Sequence, residues 1–200
     1  AIAGFAVSLN LKIGDLDAGA PELRPESRYN LDNDFITKNF ALSSDQFAVI
    51  VKTPPGDCVK YETLVEVDRL GWELRQLPSV QATVSLAESV RPIVLGSYEG
   101  NPKWLTIARN QQTINFAGVR AMDSNPDLAN NECSVFPVIA YLADHKSETL
   151  DNVVKVVSDF AAKHSEPDRQ FLLAAGSSGI EAATNIVVKK ASHTMLYYVY

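Results

Sequence analysis

Two stretches of this 200-residue chain repeat one order of patterns, and that repeat limits the fold more than any other feature. Phe47-Ala48-Val49-Ile50-Val51, within Gln46 to Thr53, is a continuous apolar run of the kind found in strands buried on both faces. Thr53-Pro54-Pro55-Gly56-Asp57 interrupts it. A long helix is predicted to follow as far as Leu77, where Pro78 stops it. Its apolar residues Leu64, Val67, Leu70, Leu74 and Leu77 recur at intervals of three and four and make one face. Val80, Ala82, Val84 and Leu86 then alternate with Gln81, Thr83 and Ser85, the period of a strand with one wet face or at a sheet edge. The same order returns downstream. Cys133 to Ala143 reads as an apolar strand, Ser147 to His164 as a helix and Arg169 to Ala175 as a strand. In that helix Leu150, Val153, Val154, Val157, Phe160 and Ala161 form a continuous stripe. Two strand–helix–strand units of similar size predict an α+β fold, a ferredoxin-like α/β plait, spanning residues 46–177. Pro137 conflicts with that arrangement, because the plait places its strand in the middle while proline favours an edge or a bulge.

Further elements surround the plait. Phe5, Val7, Leu9, Leu11 and Ile13 alternate with Ser8, Asn10 and Lys12 and predict an additional N-terminal strand. After a loop with Gly19, Pro21 and Pro25, a short helix is predicted over residues 30–40. Asn30 would be its cap, acids would fill its first turn, and Leu31, Phe35 and Ile36 would form its stripe. Residues 87–131 form an insertion. Asn101-Pro102 is a helix-start pattern, and a helix is expected from there to Phe116, with Asp123-Ser124-Asn125-Pro126 marking a loop. Residues 178–200 read as a last helix, with Ile180, Ala183, Val187 and Ala191 toward the sheet and Glu181, Asn185, Lys189 and Lys190 toward water. Ser177 or Ser178 would cap it, and no proline or glycine after Gly179 stops it.

Composition removes several functional classes. The net charge is -6, and Lys189-Lys190 is the only adjacent basic pair, so no basic stripe for nucleic acid is present. No run of about eighteen apolar residues suited to spanning a bilayer occurs, and no secretory signal pattern opens the chain. Cys58 and Cys133 are the only cysteines, and His145, His164 and His193 do not cluster with them in sequence, so neither a metal nor a cofactor is expected. The two thiols read equally as a disulfide or as unrelated buried side chains.

Candidate chemistry is sparse. Gly176-Ser177-Ser178-Gly179 joins a strand to a helix but fits neither the phosphate-loop nor the nucleophile-elbow spacing, so a tight turn is expected. Asp144-His145 has no paired nucleophile by pattern and reads as a surface turn. Glu22, Glu26, Asp32 and Asp34 lack calcium-loop spacing. Trp72 and Trp104 have apolar neighbours and read as core residues. No enzymatic activity is expected.

The chain's end is unusual for a globular domain. Met195-Leu196-Tyr197-Tyr198-Val199-Tyr200 interleaves aromatic and aliphatic residues, and Tyr prefers the lipid headgroup level. Tyr197, Tyr198 and Tyr200 are therefore candidate membrane-proximal residues. The run from Ile13 through Asn30 resembles the segment after the first membrane helix of RND-superfamily exporters, in their MMPL and hopanoid-transporter-like branch, and Gly176 through Tyr200 resembles the approach to the second. The resemblance covers essentially the whole chain and rests on segment order rather than on a short signature. It implies one periplasmic porter domain over residues 1–200, at the periplasmic face of a bacterial inner membrane. The implied function is proton-driven export of hydrophobic, amphiphilic or lipid-like substrates. The implied partners are a second periplasmic loop and the membrane helices of the same transporter, with room for a homo-oligomer. The family's proton-relay carboxylates lie in membrane helices, so none transfers to this chain. An oxidising periplasm, with the two thiols brought to one end of neighbouring antiparallel strands in the plait, leads to the expectation that Cys58 and Cys133 are bonded. Two other classes remain open: a membrane-anchored extracytoplasmic ligand-binding or sensor domain, and a small α+β enzyme.

Overall fold

The computed structural model describes Gly14, Ala20, residues 23–40, Ser43 and residues 45–199, leaving out the side chains of Ala174, Ala175, His193, Leu196, Tyr197 and Val199. The N-terminal strand expected over residues 5–13, and Tyr200, lie outside the described residues. Helix α1 covers Arg28–Asn39, strand β1 Gln46–Lys52, helix α2 Tyr61–Arg75 and strand β2 Val80–Ser85. Helices α3 (Leu86–Ser97) and α4 (Gln111–Ser124) make the insertion. Strand β3 (Val135–Leu142), helix α5 (Ser147–His164), strand β4 (Gln170–Ala175) and helix α6 (Ser177–Val199) complete the chain.

The strands form one antiparallel sheet in the order β2-β3-β1-β4. With α2 and α5 as the crossovers, this is the ferredoxin-like plait. Opposed residues share a face. Phe47 pairs with Ala140, Val49 with Val138 and Val51 with Phe136, and all six are buried. Onto that face pack Leu64, Val67, Leu70 and Leu74 of α2, and Leu150, Val153, Val157 and Phe160 of α5. The opposite face is half-exposed and apolar, with Ile50 beside Pro137 and Val84 beside Ile139.

Pro137 lies in a central strand without breaking the ladder, for a reason of parity. Ser134 accepts from Thr53 N–H and Leu142 donates to Asp45, so the even residues of β3 bond toward β1. Pro137 therefore directs its nitrogen toward β2. There pairing ends at Ser85 opposite Val138, because Leu86 has already entered α3. The missing N–H has no ladder position to vacate.

The insertion departs from expectation. The alternation through Leu86 extends a strand one residue too far; the chain turns at Ser85, whose Oγ accepts from Glu88 N–H at 3.3 Å and starts α3. Ser85-x-x-Glu88 is a capping-box spacing, the signal that the strand reading passed over. Asn101 caps only a 3₁₀ turn, Pro102–Trp104, and the helix expected over 101–116 runs instead from Gln111 to Ser124 behind the cap Asn110. Ile114, Ala117, Gly118 and Ala121 form its buried stripe. Gly118 lies so close to Val59 that an added Cβ would meet Val59 Cγ1. Gly118→Val should therefore destabilise by about 1–3 kcal/mol, measured by urea unfolding, despite valine's better helix propensity than glycine's.

Helix α1 also differs in detail. Its cap is Ser27 rather than Asn30, and its first turn holds no acid. Asn30 instead closes the preceding loop, accepting from Ala20 N–H at 3.0 Å and donating to the carbonyls of Ala20 and Arg24. Asp32 and Asp34 pair with Arg28 and Lys38 along the helix. Leu31, Phe35 and Ile36, expected as its packing stripe, are exposed.

Candidate functional site

Cys58 and Cys133 are disulfide-bonded, with Cα atoms 5.1 Å apart. Cys58 sits in the 3₁₀ turn Asp57–Val59 after β1, and Cys133 in the turn before β3, in a left-handed conformation at φ 52°. Cys58 N–H also donates to Cys133 C=O, so covalent and hydrogen-bonded links join the same two turns. Asn130 organises the second turn by accepting from the backbone of Ser134 and Val135. Beside the first turn, the hydrogen bond to Asp57 is the main reason that Lys60 holds its proton above the usual lysine range.

The charged groups hold elements together. Arg75 of α2 donates to Thr83 Oγ1 at 2.6 Å and pairs with Glu88 of α3, while Arg91 of α3 meets Asp68 of α2 at 2.6 Å. These pairs fasten the insertion to the plait. Glu88→Ala should cost about 1–2 kcal/mol in chemical unfolding, since it removes the carboxylate that both Arg75 and Thr83 hydrogen-bond.

Asp144-His145 is not the plain surface turn expected. His145 Nδ1 lies 3.2 Å from Asp45 Oδ2 before β1, and Asp144 accepts from Lys146 N–H and Thr149 Oγ1 at the start of α5. His164 similarly meets Glu66 at 2.8 Å, joining the end of α5 to α2. The first pair ties the turn after β3 to the residue before β1, and the second joins two helices. Among the described residues no group of three or more His, Cys, Asp or Glu is placed to hold a metal ion. Trp72, expected in the core, is 57% exposed; Trp104 is partly buried, with its ring stacked on Tyr98.

The most informative surface is on α6. Gly176 starts the turn before it at φ 81°, and a Cβ there would stand 2.8 Å from Gln46 C=O, so this strand-to-helix turn requires glycine. The helix then reverses most of the expected facing, although Lys190 is exposed as expected. Ser178, Ala182 and Asn185 are buried, and Lys189 reaches Asp151 of α5 at 2.6 Å. Ile180, Val187 and Ala191, placed toward the sheet by the sequence reading, face outward, and Ala183 is only half-buried. Gly14 permits the close approach to this inner face, since a Cβ there would stand 2.6 Å from Asn185 Nδ2, and Lys189 reaches Asp151 beside it.

The outward stripe continues to the helix end, where Met195 is exposed and Tyr198 is 82% exposed. Tyr197 contributes only backbone to the described helix, so of the three candidate membrane-proximal tyrosines the side-chain placement is given for Tyr198 alone. Among the described residues, no helix is long and apolar enough to cross a membrane. No protein-family model matches the chain, and no curated protein matches it.

Proposed function

We propose that this chain is an extracytoplasmic porter domain of a proton-driven RND-type transporter that exports hydrophobic, amphiphilic or lipid-like molecules. It lies at the periplasmic face of the inner membrane and works with a second periplasmic loop and with membrane helices outside this chain. Its contribution is mechanical: it walls a substrate passage and moves between states, without covalent chemistry on the substrate.

The observation that carries the reading is the polarity of α6. A helix whose inner side is small and polar and whose outer side is aliphatic, ending in exposed Met195 and Tyr198, is built for surroundings less polar than water. The plait and the disulfide add support, the latter because disulfides persist in oxidising compartments.

Membrane topology of the complete gene product tests the proposal. A porter requires about twelve membrane helices in two similar halves, each with a large loop after its first helix. One or two membrane helices attached to a cytoplasmic signalling module would replace the porter reading with that of an anchored sensor. Turnover by the purified chain, abolished by a single substitution in one pocket, would replace both with an enzyme.

A further inference from the structure

We draw no further inference here: the strongest candidate, the apolar surface patch that Leu31, Phe35, Ile36 and Phe40 form along helix α1 and its C-terminal cap, carries nothing because no residue of that helix is buried and nothing in the structure shows what covers it.

Discussion

Reducing the Cys58–Cys133 disulfide should lower the free energy of unfolding by about 4 kcal/mol, the loop-entropy cost expected for residues 75 apart in sequence. The closed loop contains α2, β2 and the whole insertion, so reduction lets the unfolded chain open across its middle. Urea unfolding of the oxidised chain, of the chain in a phosphine reductant, and of the Cys58→Ala/Cys133→Ala variant measures the effect. The variant should lose slightly more than the reduced protein, because Cys58 is fully buried and its sulfur leaves a void. A loss below about 1 kcal/mol in both would mean that the Cys58–Cys133 backbone hydrogen bond and the Asn130 turn hold this end of the sheet unaided. A large loss would also bear on location, since a domain that depends on this bond suits an oxidising compartment.

Phe136→Ala should cost about 3–5 kcal/mol, whereas Val187→Ala should change stability by no more than about 0.5 kcal/mol. Phe136 is fully buried in the central strand opposite Val51, under α2 and α5, so truncation leaves a cavity that close-packed neighbours fill poorly. Val187 is 65% exposed on α6, and alanine is the better helix former. The pair tests the inverted polarity of α6 directly by thermal or urea unfolding of the same preparation. A loss of about 2 kcal/mol or more for Val187→Ala would show that Val187 packs into the domain, and would remove the main support for the membrane reading.

Much of the plait was legible because its elements carry their own period. The apolar run Phe47 to Val51, the three-and-four spacing from Leu64 to Leu74 and the stripe from Leu150 to Ala161 each have one way to bury their apolar atoms. Helix α5 runs from Ser147 to His164 as expected, and the two cysteines meet where the strand order brings them. Less was legible where two local signals competed. Ser85 continues an alternating strand and equally opens a capping box, and contact between α3 and α2 through Arg75, Glu88, Arg91 and Asp68 accompanies the helix that won. Asn101-Pro102 and Asn110 both offer caps, but only the second is followed by a stripe that fits against the core.

For α6 the sequence alone determined that a helix forms and that one of its sides is aliphatic. It could not determine which side turns inward, because a period locates a stripe but not its partner. Tertiary structure decided that: Gly14 lies against Asn185, Asp151 stands within reach of Lys189, and the small residues Ser178 and Ala182 permit close packing. The aliphatic side was left outward because the small residues of the other side allow close approach and Lys189 reaches Asp151 from it, and free energy follows the fit between two surfaces rather than the hydrophobicity of either alone.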